Sequence, residues 1–195
     1  MELMPSTKDK FKLSPKDWQT LLTVARHAIK YGLSYKKVPL MELEKYSDAL
    51  QRPGASFVTL KESNVLRGCI GTLEAYQPLV QDVAEHAFAA AFRDPRFSPI
   101  NHIEEPVVHI SISVLSPSEV MNFESENDLL SQIEVGKDGL ILEYKNNKGT
   151  FLPSVWEQLP DKQDFLNHLK QKAGLAADFW NDDIKIGRYF TQTID

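Results

Sequence analysis

The sequence predicts an α+β fold, on three observations. Two stretches read as β-hairpins, one from Phe57 to Leu73 and one from Leu140 to Leu152. Each hairpin is followed by a segment with helical periodicity. A further stretch, Val107 to Leu115, alternates cleanly between apolar and polar residues. Hairpins mixed with helices place the chain in the α+β class.

The elements follow in order. Residues 1–13 read as a mobile lead-in, and residues 14–195 as one domain or two closely joined lobes. A helix begins at Ser14, which is its N-cap, with Pro15 at the first helical position and Asp17 at the third. Trp18, Leu21, Leu22, Ala25 and Ile29 form its apolar stripe, His27 lies opposite, and Gly32 is a natural stop. Residues 36–50 are mixed, and Arg52-Pro53-Gly54-Ala55 is a turn signal. Phe57–Leu60 and Leu66–Leu73 are the strands of the first hairpin, joined by a polar turn over 61–64. Pro78 opens a helix with Leu79, Val80, Val83, Ala84, Ala87, Phe88 and Ala91 on one face and Asp82, His86 and Arg93 on the other.

In the 107–115 strand Val108, Ile110, Ile112 and Val114 face one way, and His109, Ser111 and Ser113 the other. The second hairpin turns at 146–149. Asp161 then caps a helix carrying Phe165, Leu166, Leu169 and Ala173, closed by Gly174. Ile184, Ile186, Tyr189 and Phe190 suggest a last strand. A hairpin followed by a helix thus occurs twice, although the residue identities barely match.

Composition narrows the function classes. The chain has 195 residues, 42% hydrophobic and 25% charged, which supports a real core in an ordinary soluble protein. Its formal net charge of -5 lacks the Lys and Arg excess that nonspecific nucleic-acid binding needs. One cysteine cannot close an internal disulfide and suits a reducing compartment. No signal peptide is apparent, and the longest small-apolar run, 87–92, is too short to span a bilayer. A cytoplasmic location without membrane attachment is the expectation.

The stretch Leu66-Arg67-Gly68-Cys69-Ile70-Gly71 is the most informative in the chain. Strands rarely hold two glycines without a bulge or a close approach. Strict alternation would put Arg67 and Cys69 on one face. A guanidinium near a thiol favours the reactive thiolate. Gly68 and Gly71 would let a ligand's backbone approach. The bland alternative is a small buried thiol in a tightly curved strand.

Arg93, Asp94 and Arg96 form a second cluster. The two arginines could grip a carboxylate or phosphate, while Asp94 and Pro95 read as structural support. No histidine is placed for catalysis by its spacing. His102, Glu104 and Glu105 lack the Cys-x-x-Cys partner of a zinc deaminase, and no phosphate loop or dinucleotide fingerprint is present. Neither a metal nor a cofactor is expected. Trp18, Trp156 and Trp180 read as core or lobe-joining residues.

Several motifs together resemble the AMMECR family, whose bacterial and archaeal members are also called AmmeMemoRadiSam system protein A. They are Leu-Arg-Gly-Cys-Ile-Gly-Thr-Leu at 66–73, Ala-Phe-Arg-Asp-Pro-Arg-Phe at 91–97, Ile-Ser-Val-Leu-Ser-Pro at 112–117, Val-Gly-Lys-Asp-Gly-Leu-Ile-Leu at 135–142, Thr-Phe-Leu-Pro at 150–153 and Lys-Ala-Gly-Leu at 172–175. His109 stands where the family more usually has an acidic residue, which argues against a family-wide catalytic role for it. The resemblance implies two related halves wrapped into one barrel-like sheet with helices outside. It implies no established activity. The association with a Memo-like protein and a radical S-adenosylmethionine enzyme suggests a place in a modification pathway and names those two as candidate partners.

Two functions compete, beside a third reading in which the motif is purely structural and the function lies elsewhere. A binding or adaptor protein would hold a partner's loop in a cleft at the 66–71 motif, contacted by Arg67, Gly68, Gly71, Arg93 and Arg96. An enzyme or enzyme subunit would use Cys69 as a thiolate nucleophile. The binding function ranks first because no acid–base pair accompanies the cysteine.

Overall fold

The computed structural model describes residues 12–195. The lead-in expected over residues 1–13 lies outside the described residues as far as residue 11, and Leu13 is buried in the core. The described residues divide into two compact units, one running to Ser116 and joined by Gln192–Asp195, the other Pro117–Thr191.

In the first unit, α1 (Pro15–Tyr35) starts at a capping box. The Ser14 hydroxyl accepts from the Asp17 N–H, and the Asp17 carboxylate accepts from the Ser14 N–H at 3.0 Å. Gly32 does not end this helix. It continues to Tyr35 and closes with Lys36 in the left-handed region, at φ 57°. Gly32 serves packing instead, because a Cβ there would sit 2.5 Å from the Phe92 ring. A 3₁₀ turn (Leu43–Lys45) and a short α2 (Asp48–Gln51) lead to β1 (Pro53–Glu62). The turn expected at 52–55 is the start of that strand, where Pro53 and Gly54 pair with the two-residue β3 (Gln77–Pro78).

The hairpin between β1 and β2 (Val65–Gly71) turns through Ser63 and Asn64, both at positive φ, as two-residue hairpins favour. Helix α3 (Leu79–Phe92) packs on β1 and β2, and α1 packs on α3 and on β4 (His109–Leu115). Val58, Leu60, Ile110, Ile112 and Val114 carry the sheet's share of this core. The sheet runs β2-β1-β4-β9, with β9 at Thr191–Ile194.

The second unit holds β5 (Glu119–Val120), α4 (Glu126–Gln132), β6 (Gly139–Tyr144), β7 (Asn147–Phe151), a 3₁₀ turn (Pro153–Glu157), α5 (Lys162–Lys172) and β8 (Lys185–Tyr189). Its sheet order is β5-β8-β6-β7. Its core gathers Leu140, Leu142, Leu166 and Leu169 around Trp156, which stacks on Phe165 at 3.7 Å.

The barrel-like sheet does not form. There are two separate antiparallel sheets, and neither closes. Two local features account for this. The last strand expected after Ile184 is two strands, β8 and β9, which break at Phe190 and join different sheets. On the outer edge of β2, the Cys69 N–H and C=O are already bonded to side chains, so they cannot receive a closing strand. No helix among the described residues is long and apolar enough to cross a membrane.

Candidate functional site

The 66–71 motif is shaped by one extra residue. From the turn, Glu62 pairs with Val65 and Lys61 with Leu66, yet Leu60 pairs with Gly68. Arg67 is thus the inserted residue of a β-bulge. Without it, the count from the turn would set Cys69 opposite Val58, on the face covered by α3. The bulge moves the register by one, so Cys69 pairs with Thr59 and Gly68 with the fully buried Leu60. Strict alternation therefore fails here. Arg67 turns to Glu104, and Cys69 turns to the face that carries Thr59.

Gly68 is needed for a close approach by the protein itself. A Cβ at this position would lie 2.1 Å from the Ala90 carbonyl oxygen, in the last turn of α3. At Gly71 a Cβ would lie 2.4 Å from both the Phe57 ring and the Ser56 carbonyl oxygen. Both glycines thus face protein atoms and do not open a path for a ligand.

The loop after α3 grips the strand. Asp94 is buried and its Oδ2 accepts from the Cys69 N–H at 2.9 Å. Arg96 donates to both oxygens of Asp94, at 2.9 and 2.7 Å, and its Nη2 also donates to the Cys69 carbonyl at 3.2 Å. Both main-chain polar groups of Cys69 are thereby held by one Asp-Pro-Arg turn. The Arg96 hydrogen bonds hold the Asp94 carboxyl well below the usual carboxylate range, against the opposing effect of burial. Arg67 donates from Nε to Glu104 at 2.7 Å, and this bond lowers the Glu104 carboxyl.

Cys69 is half-buried, and Thr59 Oγ1 lies 3.2 Å from its Sγ. The arginine bonded to Cys69 is Arg96, which leaves about half of its side chain exposed. Arg93 and Pro95 are exposed, and the Arg93 guanidinium lies 5.0 Å over the Phe88 ring.

Asp82 and His86 were expected on a polar surface and are buried instead. Asp82 Oδ2 accepts from the Ser56 hydroxyl at 2.6 Å and lies 3.1 Å from His86 Nδ1, which ties α3 to β1. His102 is exposed, and Glu105 pairs with Arg26 at 3.3 Å. Among the described residues no group of three His, Cys, Asp or Glu is placed to hold a metal. The sequence does not single out Thr59, and it brings up Glu104 only beside His102 and Glu105, not as the partner of Arg67. Thr59 becomes the neighbour of Cys69 only once the bulge is counted, and nothing local ties Glu104 to Arg67, 37 residues away.

The AMMECR1 family model matches residues 22–194. Protein MJ0810 of Methanocaldococcus jannaschii is 35% identical over 175 residues, covering 88% of this chain and 86% of that protein. Protein LS215_2104 of Saccharolobus islandicus is 39% identical over 177 residues, covering 87% of this chain and 77% of that protein. The crystal structure of the uncharacterized protein PH0010 from Pyrococcus horikoshii superposes with a TM-score of 0.81 at 32% identity, covering 93% of this chain and 92% of that one. The chain belongs to the AMMECR1 family.

Proposed function

We propose that the protein is a binding or adaptor component of a cytoplasmic modification pathway, with its recognition surface at the Cys69 hairpin and the Arg93–Phe97 turn. One observation carries the reading. The charged groups around the thiol are already engaged in holding the strand, Asp94 and Arg96 on the Cys69 main chain and Arg67 on Glu104. What they present is a fixed shape with Arg96 half exposed beside it. A rigid, partly cationic surface suits recognition better than proton transfer. The family resemblance makes a Memo-like protein or a radical S-adenosylmethionine enzyme the expected partner.

The enzymatic reading stands second, favoured by the incompletely buried thiol with a hydroxyl at 3.2 Å. Binding of purified candidate partners to wild type, Cys69→Ser, Arg67→Ala and Arg96→Ala separates the two. Recognition requires that Cys69→Ser retain the partner while Arg96→Ala and Arg67→Ala weaken it. If wild type retains neither candidate, the adaptor role fails. If all four proteins bind alike and only Cys69→Ser stops conversion of a bound molecule, the nucleophile takes first place.

A further inference from the structure

Residues 12–37 hold six Lys or Arg against one Asp, in a chain whose formal net charge is -5. Part of this excess lines a groove of about 520 Å³ between α1 and the start of β4, within the first unit. That volume is in the range of small-molecule sites. Gln19, Arg26 and Lys30 recur at helical spacing along one side of α1, and His109 stands at the start of β4. Leu22 and Ile110 add an apolar floor.

The Arg26 guanidinium is fixed in advance. Nη2 donates to the Val108 carbonyl at 2.7 Å, and Nη1 donates to the carbonyl and, at 3.3 Å, to the carboxylate of Glu105. Lys30 is exposed and makes no ion pair among the described residues. His27, also in the lining, offers an exposed imidazole. Arg26 is paired with Glu105 and Asp195 also lines the groove, so Lys30 is the cation of the lining without a carboxylate partner among the described residues. The same residues are not placed to hold a metal.

We propose that this groove binds a small organic anion, a phosphate or carboxylate group on an apolar body. Lys30 would supply the mobile charge, Arg26 the fixed one, and the Leu22–Ile110 floor the contact for the body. The inference is independent of the Cys69 surface.

The test is an amide-resonance titration of the full chain with phenyl phosphate, benzoate, inorganic phosphate and benzyl alcohol. Phenyl phosphate or benzoate should give saturable shifts at residues 19–30 and 109–110, and the tighter of the two identifies the head group. Inorganic phosphate should bind more weakly, and benzyl alcohol should not bind. Lys30→Glu should weaken binding by about tenfold, while Lys185→Glu, an equal charge change in the second unit, should leave it unchanged. Absence of saturable shifts up to about 10 mM, shifts centred elsewhere, or equal weakening by both variants would overturn the proposal.

Discussion

The two hairpins of this molecule share a plan and differ in what the first adds to it. In both, the return strand is the edge of its sheet, β2 in one and β7 in the other. In both, a glycine of that strand lies against the C-terminal turn of the helix that follows. A Cβ on Gly68 would meet the Ala90 carbonyl oxygen at 2.1 Å, and a Cβ on Gly149 would meet the Ala173 nitrogen at 2.8 Å. The second hairpin pairs without interruption from Tyr144–Asn147 to Leu140–Phe151. The first carries the bulge at Arg67, the cysteine and the Asp94–Arg96 grip. The glycine contact therefore belongs to the packing of strand on helix, which both units need. What exceeds it in the first hairpin is the bulge and the grip on Cys69, on which the proposed recognition surface rests.

The largest effect should come from filling the closer contact. Gly68→Ala drives a Cβ into main chain that cannot rotate away, and should destabilise by about 3 kcal/mol. Gly149→Ala, with more room, should cost roughly 1–2 kcal/mol. Denaturant melts of the two variants rank the contacts, and equal losses would break the comparison.

Next is the grip itself. Asp94→Asn leaves Arg96 without its carboxylate and should cost roughly 1–3 kcal/mol at neutral pH. The effect has a definite pH sign. The folded-state carboxyl of Asp94 titrates below its unfolded value of about 3.9, so its contribution is present above that pH and lost as pH falls through the folded value. Stability measured from pH 6 to pH 2 should fall further in wild type than in Asp94→Asn. Parallel curves would mean that Asp94 is not held as an ion.

The second unit should respond at the opposite end of the scale. Burial pushes the Tyr189 hydroxyl up to about 12, and it donates to the Phe151 carbonyl at 3.0 Å. An unfolded tyrosine ionises near pH 10, so the contribution is present below that pH and lost as pH rises through about 12. Tyr189→Phe should cost about 1 kcal/mol at neutral pH and flatten the alkaline decline. An unchanged alkaline limb would remove Tyr189 as its cause.

Much of the fold is legible in the sequence because local chemistry determines it. The Ser14 and Asp161 caps, the turn at 63–64 and the alternation over Ile110, Ile112 and Val114 each depend on a few neighbouring residues. The misreadings come where distant parts meet. Asp82 and His86 lie opposite the apolar stripe of α3, but that helix is covered on both sides, by the sheet and by α1. Ser56 supplies Asp82 with its partner from another element. The bulge at Arg67 has no mark in the sequence beyond the glycine that follows it. It reverses the face of Cys69 and directs Arg67 to Glu104, whose side chain arrives from a loop 37 residues away. Open sheets, rather than a barrel, likewise follow from the break at Phe190 and from the occupied edge of β2.

Recognition at the first hairpin, and not the second, is tested most directly by backbone hydrogen exchange of the wild-type chain, alone and with a saturating Memo-like protein or radical S-adenosylmethionine enzyme. Added protection should appear over residues 66–73 and 93–97 and be absent over 140–152. Protection at the second hairpin instead, or no change at the first with either candidate, would contradict the assignment.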